Sequence, residues 1–270
     1  MGKDLYLIVG KTESVGPIPT NGSSRNSSVV EHYFRKVGTR VRFSPSAPVS
    51  KQGHKNIELL KHPSSRAKLT TGQVKTKKMK NVYIIHGWDG SPKEPMLNWL
   101  KKELENRNYS VVAPEMPNPG KPEIKAWVNK LNEVVNTNDG NIFIGHSVGC
   151  QGVLRYLEQA PEKIKVSGIL LIAPWMELDE ETIKEEGEEV IEIARPWMET
   201  PINFKKIKSK TKNITAIFSD DDYFVPLSQK DLFEKELNAT IIVEHNMGHF
   251  SPADNVDRLD SALNSVLEMK

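Results

Sequence analysis

Residues 141–158 read NIFIGHSVGCQGVLRYLE. An apolar run leads into Gly145-His146-Ser147-Val148-Gly149, and an amphipathic run follows. A serine placed between two glycines where a strand becomes a helix is suited to nucleophilic chemistry. The glycines let helix and strand approach without a Cβ clash. The hydroxyl then projects at a helix N-terminus, whose dipole favours developing negative charge. Out of context such a serine would read as a plain helix cap between packing glycines. The strand–turn–helix context favours Ser147 as a nucleophile.

A serine hydroxyl reacts only when a base takes its proton. His249, in EHNMGHFSP after the last strand-like run, is the expected base; His245 competes but lies nearer the strand. The base needs an acid to orient its ring and stabilise the imidazolium. SDDDYFVP supplies three candidates, of which Asp222 is the expected acid. Asp220 or Asp221 could take that place or cap turns. An oxyanion needs two backbone N–H donors. Val148, directly after the serine, is one. Trp88, in the loop His86-Gly87-Trp88-Asp89-Gly90, is the other.

His86, Gly87, Trp175 and Trp197 could bound a substrate pocket; the plainer readings are a chain turn for the first two, with His86 a buried hydrogen-bonding residue, and core or surface packing, the expected role, for either tryptophan. Cys150, one helical turn past Ser147, reads as a small packed residue. No His, Cys or carboxylate cluster has metal-ligand spacing, and no dinucleotide glycine fingerprint occurs. Neither metal nor cofactor is therefore expected. The chemistry implied is acyl transfer to water from a small ester, with thioester and amide open to the same groups.

These residues need elements to position them. Val82–Ile85, Tyr109–Ala113, Ile142–Ile144, Val166–Ala173, Ile214–Phe218 and Thr240–Val243 are short apolar or β-branched runs. Helical spacing separates them. Ser91-Pro92-Lys93-Glu94 reads as a helix start with a capping-box Glu. Ile124, Trp127, Val128, Leu131, Val134 and Val135 form a second helical face. Ser228 is expected to cap a helix before the sixth strand. Ser251-Pro252 is expected to open the last helix, with Val256, Leu259, Leu263 and Leu267 inward. Strands apolar on both faces, alternating with helices, predict a mainly parallel sheet of about six strands covered on each side. Each chemical candidate falls at a strand's carboxyl end, where such sheets bind ligands.

The acidic segment 177–192 reads as one solvated helix, with a small lid as the sharper alternative. Residues 1–78 carry fifteen Lys/Arg against four Asp/Glu, and the remaining chain 22 against 31, so a formal charge of +2 hides a basic N-terminal stretch and an acidic body. The stretch 11–78 lacks periodicity and is expected to be disordered. Without interleaved aromatics or a recognisable module, nucleic-acid binding is not expected of it. SSVVEHYFRKVGTRVRFSPSAP resembles the conceptual translation of a transfer-RNA gene, and Met79 directly precedes the first strand. A start at Met79 is the expectation. One cysteine and no apolar run of membrane-span length point to the cytoplasm.

The order Ser147, Asp222, His249 is that of α/β-hydrolases. Beyond this order, VYIIHGWDGSP, WLKKELE, MPNP, GHSVGC, RPW, SDDDYFVP and GHF resemble the small α/β-hydrolase family of the retinoblastoma-binding-protein serine hydrolase and the bacterial YdeN-type proteins. The likeness spans residues 79–270. It implies a three-layer α/β-hydrolase fold without a large cap domain, with nucleophile, acid and base at Ser147, Asp222 and His249. The first loop, His-Gly-Trp, follows the bacterial branch, whereas other members carry a Gly-rich loop. Because fold alone does not fix function, a partner-binding protein on the same scaffold is the alternative.

Overall fold

A computed structural model describes residues 80–137 and 140–269. The basic stretch 1–78, its transfer-RNA-like segment and the Met79 start lie outside the described residues.

Six strands alternate with helices: β1 (Asn81–Ile85), α1 (Pro95–Glu105), β2 (Ser110–Val112), α2 (Ile124–Val134), β3 (Asn141–His146), α3 (Val148–Gln159) and β4 (Val166–Ile172). They continue through α4 (Glu180–Glu186), α5 (Glu188–Glu199), α6 (Phe204–Lys208), β5 (Ile214–Ser219), α7 (Gln229–Leu237), β6 (Thr240–Glu244) and α8 (Asp260–Glu268). The strands form one sheet in the order β2-β1-β3-β4-β5-β6, and every pairing is parallel.

Side chains alternate across the strands and split the core in two. Tyr83, Ile85, Phe143, Ile169, Leu171 and Phe218 face α2, α3 and α7, packing on Trp127, Leu131, Leu154, Leu157 and Phe233. Val82, Ile84, Ile142, Ile144, Leu170 and Ile172 face the opposite way. They pack on Met96, Leu97, Leu100 and Leu104 of α1 and on Ala262, Leu263 and Val266 of α8. Both faces are thus dry, which is why the strands read as continuous apolar runs.

The first helix begins later than its capping pattern predicts. Helix α1 starts at Pro95, with Glu94 in an extended conformation (φ −53°, ψ 140°). A residue before proline is pushed out of the helical region, so the Pro95 ring sets the boundary. Ser91 and Glu94 instead close a turn in which the Ser91 N–H reaches Glu94 Oε1 at 3.3 Å.

The last helix also differs. Ser251-Pro252 opens only a 3₁₀ turn, Pro252–Asp254, closed by a capping box between Ser251 and Asp254. Helix α8 begins at Asp260. This new phase buries Ala262, Leu263 and Val266 and leaves Leu267 39% exposed. Ser228 sits at the start of α7 without a side-chain capping bond. The acidic segment is two helices, α4 and α5, joined at Gly187. It is tied down: the Asp179 N–H donates to Phe224 O at 2.8 Å, and Thr182 Oγ1 donates to Tyr223 O at 2.7 Å. Among the described residues no helix is long and apolar enough to cross a membrane.

Helix α3 leaves β3 in a turn so tight that backbone meets backbone. A Cβ on Gly145 would lie 2.6 Å from the Cys150 backbone, and one on Gly149 would lie 2.5 Å from the carbonyl oxygens of Ile85 and His86. Rigid backbone cannot yield there, so Gly149→Ala should cost about 1–3 kcal/mol in urea unfolding, the range for overpacking. Leu263→Ala should cost about 2–5 kcal/mol, whereas Leu267→Ala should stay within about 0.5 kcal/mol.

Candidate active site

The turn between β3 and α3 places Ser147 at φ 52°, ψ −126°, a left-handed conformation rare for a residue with a side chain. The Ser147 N–H donates to Ile172 O at 2.9 Å, and the Cys150 N–H donates to Ser147 O at 2.9 Å. The strained turn is therefore held from both sides, as such conformations require. Val148 is the first residue of α3, so its N–H has no intrahelical acceptor.

His249, in the loop after β6, reaches Ser147. Its Nε2 lies 2.9 Å from Ser147 Oγ. Its Nδ1 lies 2.9 Å from Asp222 Oδ2 and 3.1 Å from Oδ1. An ionised carboxylate only accepts, so Nδ1 carries the proton and Nε2 is free to accept from the serine hydroxyl. The Asp222 side chain is 2% exposed and that of His249 11%. Asp222 Oδ1 also accepts the N–H groups of Phe224 and Val225 at 2.9 and 3.0 Å, which fixes the carboxylate.

The competing residues take other places. Asp221 Oδ1 accepts from Ser219 Oγ at 2.6 Å and from the Gly248 N–H at 2.8 Å. Asp220 pairs with the exposed ring of His245 at 2.6 Å. The Cys150 thiol donates to Ile172 O at 3.3 Å. Burial pushes its pKa up, away from thiolate formation at neutral pH.

Two residues that could bound a substrate pocket are fully buried and held by backbone partners. His86 is fully buried; its Nδ1–H donates to Gly87 O at 2.9 Å, and its Nε2 accepts the Met116 N–H at 2.9 Å. Burial holds its pKa below the usual histidine value, so the ring is neutral. Gly87 O also accepts the Gly90 N–H at 3.2 Å. In a trans peptide the carbonyl and the next N–H point opposite ways, so these bonds fix the direction of the Trp88 N–H. His86 thus shapes the loop. Trp197 is also fully buried. Its Nε1–H donates to Pro122 O at 2.8 Å, and it packs edge-on against Trp127 at 5.9 Å.

Gly87 and Trp175 adjoin Ser147. A Cβ on Gly87 would lie 3.2 Å from Ser147 Cβ. Trp175 Nε1–H points at Ser147 Oγ from 3.4 Å. Half-buried Trp88, Tyr223 and Phe224 add aromatic surface; Phe224 meets the His249 ring at 5.3 Å.

Sequence reasoning missed three groups. Glu94 is half-buried, and burial raises its pKa to about 7 against the pull of the Ser91 N–H and of His249. Asp254 Oδ2 accepts the His249 N–H at 3.0 Å; the Ser251-Pro-x-Asp254 capping pattern was its signal. His146 Nε2 lies 2.9 Å from His249 O. Its signal was strand alternation, which sets residues 142, 144 and 146 on one face.

For His249 itself, burial alone would lower the pKa. The charge and hydrogen bond of Asp222, with the charges of Asp254 and Glu94, outweigh burial and hold it above the usual value of 6.5.

Comparison with known proteins bears on the fold and the reaction class. The serine hydrolase family profile matches residues 82–267. The chain is 30% identical over 173 residues to YdeN of Bacillus subtilis (strain 168), covering 63% of this chain and 86% of that one. It is 26% identical over 167 residues to serine hydrolase RBBP9 of Rattus norvegicus, covering 61% and 78%. The crystal structure of the ydeN gene product from B. subtilis superposes with a TM-score of 0.62 at 25% identity, over 71% of this chain and 98% of that one. Est1E from Butyrivibrio proteoclasticus, solved with ferulic acid bound, shares the fold at a TM-score of 0.54 and 16% identity, over 71% and 90%. With its six-stranded parallel sheet, its helices on both faces and a family match across nearly all of the described residues, this chain belongs to the serine hydrolase family and is an enzyme of the hydrolase class.

Proposed function

We propose that the enzyme cleaves small carboxylic esters through an acyl-enzyme on Ser147. The observation that carries this reading is the unbroken series Ser147 Oγ, His249 Nε2, His249 Nδ1, Asp222 Oδ2, with both contacts at 2.9 Å. In the first step His249 takes the hydroxyl proton as Ser147 Oγ attacks the acyl carbon. The amides of Val148 and Trp88 receive the oxyanion. The imidazolium, stabilised by Asp222, then passes its proton to the leaving oxygen, and the alcohol departs. A water deprotonated by His249 attacks the acyl-enzyme, and the collapse returns the proton to Ser147.

An ester is favoured over a peptide because the rim beside Ser147 is aromatic, with Trp88, Trp175, Tyr223 and Phe224, and suits a compact apolar acyl group. A thioester or an activated amide would use the same groups. Helix α4 and its cap Asp179 border this rim through bonds to Tyr223 and Phe224.

A fluorophosphonate probe should label the wild type, and Ser147→Ala should not be labelled; a labelled Ala variant would place the nucleophile elsewhere. Asp222→Asn should lower kcat on p-nitrophenyl acetate by on the order of 10³–10⁴-fold, because the ring loses its tautomer control. Activity requires neutral His249. The kcat/KM profile should therefore rise with pH through a value above 6.5, the usual histidine pKa. Glu94→Gln removes a negative charge that favours the imidazolium, so it should move this limb to lower pH.

A further inference from the structure

His249 has four polar groups, and each is held by a different residue. Its N–H donates to Asp254, its Nδ1–H to Asp222, and its Nε2 accepts from Ser147. The fourth is its carbonyl oxygen, and the group facing it is His146 Nε2 at 2.9 Å. A carbonyl only accepts, so Nε2 of His146 carries the proton and Nδ1 holds a lone pair.

That Nδ1 is buried and has no hydrogen-bond partner among the described residues. It faces Gly87, where an added Cβ would sit 3.2 Å away. The ring is 4% exposed and lies on the strand face that Ile142 and Ile144 present to the apolar core. An aliphatic residue there would leave no orphaned nitrogen, so packing alone does not call for an imidazole. What the imidazole adds is the bond to the His249 carbonyl. Burial and the nearby His249 hold the pKa of His146 at about 3, so it stays neutral while His249, 5.3 Å away between ring centres, gains and loses a proton.

We propose that His146 is a positioning residue: by clamping the His249 carbonyl, it makes two consecutive residues of one turn hold the base at both its backbone and its ring. Residue 146 fixes where the base loop sits, and residue 147 receives the ring that this loop carries. The inference rests on Ser147 and His249 acting as nucleophile and base.

The test compares His146→Gln with His146→Met. The two side chains have similar size, so both lose the imidazole's packing. Only Gln places an N–H where Nε2 was. With p-nitrophenyl acetate, the Gln variant should keep kcat within about threefold of wild type. The Met variant should lose on the order of ten- to a hundredfold in kcat with little change in KM, the scale of a misplaced catalytic group. Its kcat/KM limb should also move to lower pH, because a ring drifting from Asp222 loses the contact that raises its pKa. His146→Asn, whose shorter amide reaches the place of Nδ1 instead, should behave like Met and covers the case of a Met variant that does not fold. Equal kcat and equal pH limbs across Gln, Met and Asn would overturn the inference while leaving the nucleophile in place. A wild type that takes no fluorophosphonate label would remove the nucleophile reading and this inference with it.

Discussion

The crossing of α3 over the first and third strands is the constraint on which the site rests. Because residues 145 and 149 lack side chains, the helix starts within contact distance of two strand carbonyls. That closeness forces Ser147 into its left-handed turn and lifts its hydroxyl off the sheet. The same closeness puts the start of α3 beside the loop after β1. The geometry of the serine turn here follows from backbone packing, with side-chain chemistry added to it.

Around that turn the protein keeps its imidazoles in different charge states by surrounding them differently. His86 and His146 have peptide partners and dry walls, and burial keeps both neutral. His249 has a carboxylate on its ring, and three negative groups offset its burial. Of the three rings, only the last is held above the usual histidine pKa. A second layer holds the aromatic wall. Gln151 donates to Trp175 O at 3.1 Å, and buried Arg155 donates to Gln151 and to the carbonyls of Trp197 and Thr200 at 2.7–3.0 Å. This chain of bonds links the core of α3 to the residue whose indole points at Ser147.

Much of this was legible in the sequence because the governing signals are local. Both faces of the sheet are dry, so the strands stand out as uninterrupted apolar runs, and the Gly-x-Ser-x-Gly turn names its own geometry. The boundaries of α1 and α8 were less legible because each offered two starts. At Ser91 the capping pattern lost to the backbone restriction imposed by Pro95; at Ser251 the capping box closed a single 3₁₀ turn. The letters alone left His86 and Trp197 open between packing and a pocket, for a different reason. A buried polar ring and a ligand-facing one have the same letter, and only long-range partners such as Met116 and Pro122 tell them apart. His146 escaped notice because its partner is a backbone carbonyl 103 residues away.

The strand order also bears on how the molecule comes into being. The strand that carries the serine lies in the middle of the sheet, and the loop that brings the imidazole follows the last strand added at one edge. Any stretch that holds both must run from β3 to beyond β6, and parallel neighbours pair only after their crossover helices have been closed into place. Reactivity toward a covalent probe would therefore emerge late in refolding, as a signal that the last edge has docked rather than that the serine turn has formed.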